Sequence, residues 1–313
     1  SDEIAKILKN DLFYDNFSLN GIDATTHTGI LNIQEPLSAI EYLRKSAFDD
    51  KGAPFFFYQT MYNNGQVNLS SLTYLNDTKT NPVYNPYVFL KGYKAAPFSP
   101  DDYVERTARI LETGSNLEMS KAFQGSDGAY ASNNFVLDIK NKTFTRKIYD
   151  YLGENNKILR DNSLAEERIV FSPQYKIGRD NKNSLNTLPD AHQEFIATNS
   201  GAYGNAPAYN QDMAENIETL NSYMSLMNSM SQNIILCGDF NLNPGRKIEL
   251  IYPRATEAKA YKSINPERFE TDEKDKMLTG IYLITSTIHT FEFGREEGDD
   301  HYVNLEVRKD SIF

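Results

Sequence analysis

Gly238-Asp239-Phe240-Asn241-Leu242-Asn243-Pro244-Gly245-Arg246-Lys247-Ile248-Glu249-Leu250 decides the fold, together with Asp275-Lys276-Met277-Leu278-Thr279-Gly280-Ile281-Tyr282-Leu283-Ile284-Thr285-Ser286 downstream. Pro244-Gly245 signals a turn, because proline presets its own φ and glycine adopts positive φ without a steric cost. The turn separates two β-prone runs, Asn233 to Cys237 and Lys247 to Tyr252. Leu278-Thr279-Gly280 opens a third run after a polar loop. Leu278 to Phe293 and Tyr302 to Val307 then form a long terminal hairpin. Several antiparallel strands at the end of a chain predict a small β-barrel.

Working towards the N-terminus, Gln211 to Met230 carries Met213, Ile217, Leu220, Met224 and Met227 at alternating intervals of four and three. That spacing predicts one apolar stripe on a helix. Residues 153–210 are rich in Asn, Ser, Gly and Asp, which reads as an insertion of long loops and a few strands. Asn134 to Ile139, the turn Lys140-Asn141-Lys142 and Thr143 to Tyr149 predict a hairpin, assigned to the same barrel.

The first hundred residues read differently. Ile4, Ile7 and Leu8 fall at helical spacing, and Pro36 to Leu43 predicts a second helix with proline in its first turn. Pro54 to Met61 is an aromatic strand closed by Asn63-Asn64-Gly65, a hairpin signal. Asn81-Pro82, Asn85-Pro86, Ala96-Pro97 and Ser99-Pro100 predict irregular chain, followed by a helix capped by Ser99 or Asp101 and running to about Leu111.

Composition narrows the function classes. The formal net charge is −11 with a pI near 5.0, which argues against a phosphate-binding surface, since nucleic-acid affinity comes largely from Lys and Arg clusters. The single cysteine, Cys237, excludes an intrachain disulfide framework and reads as a small buried hydrophobe. No stretch reaches the length of a membrane-spanning helix, and Ser1-Asp2-Glu3 does not begin a signal peptide, so a soluble chain without stable membrane association is expected. Twenty Tyr and eighteen Phe with no Trp suit a strand-rich chain.

The Gly238 to Leu250 and Asp275 to Ser286 segments, continuing through His289-Thr290-Phe291 to Leu305-Glu306-Val307-Arg308-Lys309-Asp310, resemble the baseplate central hub proteins of T-even-like contractile-tailed phages. That family is related to the hub domain of type VI secretion spikes. Leu37 to Met61 and Gly128-Ala129-Tyr130 through Tyr149-Asp150 are similar to the family in the same order. The resemblance implies a structural virion protein of the tail baseplate, assembled in the host bacterial cytoplasm. It implies a homotrimer that joins the tail tube and other baseplate proteins to a lysozyme-type spike, with DNA passing only as cargo. Family members usually open with a further barrel; here the sequence starts at the helix-like segment that would follow it, and a first barrel is expected to be absent. The acidic balance is expected to line the central channel in part, repelling passing DNA.

Two other classes compete. Ile234-Ile235-Leu236-Cys237-Gly238-Asp239-Phe240-Asn241 looks like the strand and Gly-Asp-Phe-Asn motif of DNase-I-like metal-dependent phosphodiesterases, and Gly298-Asp299-Asp300-His301 partly echoes their terminal Ser-Asp-His. That chemistry also needs an early metal-binding Glu and a second catalytic His before the motif; the first fifty residues offer no such Glu, and His192 lies in a loop-like stretch. An adhesion or peptide-binding module would expose an aromatic groove. His27 and His289 read as solvated or hydrogen-bonded residues, His301 as a polar loop residue, and Glu296-Glu297 with Asp299-Asp300 as a solvated hairpin tip.

The expected architecture is α+β: a mixed helix and hairpin domain over residues 1–127, an antiparallel β-barrel of the tail-hub type over 128–157 and 225–313, and an inserted lobe over 158–224 ending in the amphipathic helix. The chain is expected not to be an enzyme, and no catalytic, cofactor-binding or metal-binding residue is assigned.

Overall fold

A computed structural model describes residues 2–21, 35–45, 47–49, 53–89, 107–116, 131–150, 167–168, 176–177, 183–184, 192–198, 218–225, 227–228, 230–254, 274–295 and 298–312. Its elements in chain order are α1 (Asp2–Asn10), β1 (Phe17–Asn20), α2 (Pro36–Lys45), β2 (Phe55–Gln59), α3 (Tyr62–Gly65), β3 (Val67–Ser71), α4 (Leu72–Asn76), β4 (Val83–Val88) and β5 (Ile110–Asn116). There follow β6 (Ala131–Asp138), β7 (Thr143–Asp150), β8 (Glu167–Arg168), β9 (Lys176–Ile177), β10 (Asn183–Ser184), β11 (Gln193–Thr198), β12 (Ser231–Cys237), β13 (Lys247–Ile251), β14 (Gly280–Arg295), β15 (Gly298–Arg308) and β16 (Ser311–Ile312). The fold is mostly β with few helices, consistent with an α+β class, and its largest sheet is a curled half-barrel. Among the described residues no helix is long and apolar enough to cross a membrane.

The chain divides into two compact units, one of residues 1–76, 120–162 and 170–226, the other of 77–119, 163–169 and 227–313. In the first, β3 is the central strand of a three-stranded sheet, parallel to β1 and antiparallel to β2. Ile4 and Leu8 of α1 and Ile40 and Leu43 of α2 fall on one face of each helix and pack with Phe55, Val67 and Leu69. The helix-then-hairpin reading of this region holds, with one change: β2 and β3 are joined through the short helix α3. Asn64 and Gly65 still supply the positive φ values, 57° and 79°.

The same unit holds a second sheet, ordered β11-β6-β7. The expected hairpin from Asn134 to Tyr149 is β6 and β7, but it does not join the strands of 225–313. The outer edge of β6 is instead taken by β11, in parallel register from Gln193 opposite Asn133 to Thr198 opposite Asp138. Alternation announces a strand but does not name its neighbour.

In the second unit the sheet order is β4-β13-β14-β15-β12-β5. Its core collects Ile234, Leu236, Ile248, Leu250, Tyr282, Ile284, Val303, Leu305 and Val307, the inward positions of four alternating strands. Within that core the Tyr252 hydroxyl donates to Gln232 Oε1 at 2.5 Å, and Gln232 Nε2 donates to the Tyr282 hydroxyl at 2.9 Å. Burial raises both phenols, Tyr252 to about 12, so they stay protonated donors.

Three expectations change here. The Asn81 to Pro86 stretch is not irregular throughout: β4 is a strand, and it carries Pro86 because it lies at the sheet edge, where a missing N–H is tolerated. Ile110 and Leu111 belong to β5 rather than to a helix end; residues 99–106 of that expected helix lie outside the described residues. Cys237 is half-buried at the end of β12 rather than fully enclosed.

The helix of 218–225 falls within the expected one, but its inward face matches the expected stripe only in part: Met227, just beyond, is buried, whereas polar residues take the inward side of 218–223. Glu218, Thr219, Ser222 and Tyr223 are buried, while Met224 is 38% exposed. The Tyr149 hydroxyl lies 2.8 Å from Ser222 Oγ, which places this side of the helix on the β11-β6-β7 sheet.

Candidate functional site

The turn after β12 and the facing ribbon of β14 and β15 bring the most distinctive side chains of the second unit together. β14 is 16 residues long and β15 is 11, whereas β13 pairs with β14 only as far as Leu283 and β12 pairs with β15 only as far as Tyr302. The ribbon therefore continues past the sheet as two strands. Alternation puts His289, Phe291 and Phe293 on one of its faces. Their rings form a ladder: Phe291 stacks on Phe293 at 6.4 Å and on His301 at 4.4 Å, and Phe240 reaches in from the turn to stack on His289 at 5.4 Å. Phe240 and Phe293 remain 56% and 76% exposed.

His289 Nδ1 and His301 Nε2 are 3.0 Å apart, so one ring donates and the other accepts. Burial, and secondarily the facing His301, hold the His289 pKa below the usual histidine value, with Asp239 opposing. His301, expected in a loop, is a strand residue of β15. Its carbonyl accepts the Gly238 N–H at 2.8 Å, and its ring lies where any Cβ on Gly238 would stand, 1.9 Å from Nδ1. Glycine is required here by close approach.

Asp239 closes the turn. Its Oδ1 accepts the Asn241 N–H at 2.8 Å and the Asn241 side-chain amide at 3.0 Å, while Oδ2 accepts the Tyr84 hydroxyl at 2.9 Å. Burial foremost, then the Asp239 hydrogen bond, raises the Tyr84 pKa, so the phenol remains the donor. Arg246 sits over the Tyr84 ring, 4.8 Å from its centroid, and donates to the Asn241 carbonyl. Asn241 and Asp239 thus bond chiefly to each other and to the turn.

The structure brings Gly238, Asp239, Asn241 and His301 together, as a phosphodiesterase motif would need. Among the described residues, however, Asp239, His289 and His301 do not converge on a point that could hold a metal ion; the group that does is His192, Glu194 and Glu218. His27, Glu296 and Glu297 lie outside the described residues, and Asp299 and Asp300 belong to β15. Sequence reasoning missed the ladder, although His289, Phe291 and Phe293 at period two were its visible signal. It also missed Glu218, which lay between the apolar positions of the expected stripe.

No protein-family model matches the chain, and no curated protein matches it. Two solved structures align along most of its length. The tail protein from Neisseria meningitidis MC58 has a TM-score of 0.46 and 9% identity, covering 100% of this chain and 66% of its own. The 43 kDa tail protein of prophage MuSo2 from Shewanella oneidensis has a TM-score of 0.45 and 9% identity, covering 97% of this chain and 64% of its own. Both are tail proteins. The chain spans just under two thirds of the length of each.

Proposed function

We propose that this chain is a structural subunit of a phage tail, working as the central hub of a baseplate between the tail tube and a cell-puncturing spike, as a homotrimer. The observation that carries the reading is the fold of the segment on which the resemblance rests. Within that segment β13, β14 and β15 supply three of the six strands of one curled sheet, with Pro244-Gly245 at its turn and the long final hairpin in place. The aromatic ladder on that hairpin suits burial against another chain, since stable interfaces are anchored by exposed aromatic groups that a partner desolvates. The hub's location in the virion tail, its contacts with spike and baseplate proteins and the passage of DNA as cargo belong to the same proposal.

A metal-dependent phosphodiesterase is the second reading, favoured by the proximity of Asp239 and His301. It asks for carboxylate oxygens free to bind a cation and a substrate, whereas Asp239 Oδ1 accepts from Asn241 in the turn and Oδ2 accepts from the Tyr84 hydroxyl of β4. Light scattering on the purified chain, run beside hydrolysis of a generic phosphodiester with magnesium, separates the two. A mass three times the 35.6 kDa of the chain and no Asp239-dependent hydrolysis are expected. A monomer whose hydrolysis is lost in Asp239→Ala would overturn the hub reading.

A further inference from the structure

The helix of 218–225 lays a carboxylate where a core would ordinarily be apolar. Glu218 is fully buried, and neither of its oxygens has a hydrogen-bond partner of good geometry. In β11, Glu194 Oε2 is also buried without a partner. His192 precedes Glu194 by two residues and so projects from the same side of the extended chain. One ligand atom from each of His192, Glu194 and Glu218 lies within 4.8 Å of the other two. Among the described residues no Lys or Arg forms an ion pair with either carboxylate.

From this convergence we infer that His192, Glu194 and Glu218 form a binding site for a divalent transition-metal ion, with Zn2+ as its representative. An imidazole nitrogen beside two carboxylates suits zinc and its first-row neighbours better than calcium or magnesium, which take mainly oxygen ligands. Three protein ligands leave a fourth position for water. In a tetrahedral zinc site the ligand atoms stand about 3.3 Å apart, so modest side-chain rotation closes the observed triangle.

The surroundings favour a structural role. The Asn133 N–H donates to the His192 carbonyl at 2.9 Å, fixing the backbone of that ligand to β6. Ser132, fully buried on the same side of β6, approaches Glu218, and the neighbouring Asn134 Oδ1 is a further buried acceptor without a partner. Among the described residues, the buried apolar contact between β6 and β11 is the small pair Val136 and Ile196. A cation would neutralise the two carboxylates and tie the helix to the sheet. The inference does not depend on the hub reading.

The test is calorimetric titration of the EDTA-stripped, full-length chain with Zn2+ at neutral pH, together with thermal unfolding with and without the ion. The expected result is saturation at one ion per chain and a raised Tm, both lost in Glu218→Gln and in His192→Ala and both kept in His289→Ala. Glu218→Gln removes a buried charge while keeping the side-chain shape, so that variant should fold. The His289→Ala control separates this site from the histidine pair on the ribbon. Absence of saturable binding, or binding that survives in Glu218→Gln or disappears in His289→Ala, overturns the assignment.

Discussion

His289 Nδ1 lies 3.0 Å from His301 Nε2 across the β14–β15 ribbon, and the Phe240 ring packs beside both imidazoles. Two rings sharing one hydrogen bond can carry it only while one of them is neutral. With the folded His289 pKa held below 6.5, the unfolded chain takes up the proton first. Stability contributed by the pair is therefore intact above that value and is lost as pH falls through it. Tm measured on both sides of 6.5 should drop on the acid side, and the drop should be smaller in His289→Leu.

Gly238→Ala tests the close approach. A Cβ 1.9 Å from His301 Nδ1 forces that ring away from His289 and from the Phe291 ring stacked on it. Urea unfolding should report a loss of about 1–3 kcal/mol, the range for overpacking a filled site. Equal midpoints for variant and parent would mean that the His301 ring is not held where it stands.

Lys309 gives a dependence of the same sign at higher pH. Its ammonium is fully buried, donates to the Thr279 carbonyl at 2.9 Å and lies 5.0 Å from the centre of the Tyr282 ring. Burial lowers its pKa to about 7, although Asp275 and Asp310 pull it upward. The unfolded chain keeps this proton to about 10.5, so stability should rise as pH increases from about 7 toward that value. Lys309→Met should flatten the rise, a difference of a few kcal/mol at most. Urea midpoints between neutrality and the ordinary tyrosine range, below which the buried phenols do not titrate, provide the measurement.

Phe293→Ser separates folding from assembly. Phe293 is 76% exposed, so its loss should change monomer stability by no more than about 0.5 kcal/mol. If the ladder is the assembly surface proposed above, light scattering should instead show the oligomer dissociating at a higher protein concentration than for the parent. An unchanged oligomer would remove the ladder from the interface.

The sequence revealed local conformation better than partnership. Ile234, Leu236, Ile248 and Tyr282 alternate clearly enough to locate their strands, and Pro244-Gly245 marks the turn between two of them. Pro86 suggested irregular chain because a proline is compatible with a strand only when its N–H side lacks a neighbour, and the sequence does not say where an edge lies. His301 read as loop because its acidic neighbours hid the strand. The helix stripe misled more deeply. Met224 fits an apolar face and Glu218 does not, yet Glu218 faces inward, toward His192 and Glu194. Those partners lie in a different element, so no local periodicity could have placed them.

The two-stranded reach of β14 and β15 has a mechanical consequence. Beyond Tyr302, the last β15 residue paired with β12, the ribbon runs on from Thr290 to Arg295, about 17 Å at the usual rise of a strand. Its base is clamped between β13 and β12, but its far part has no lateral neighbour among the described strands. The hairpin is thus a cantilever: a tilt of about five degrees at the clamp would swing its end sideways by about 1.5 Å. Small strains in the half-barrel would reach the far end as sideways displacements of about an ångström.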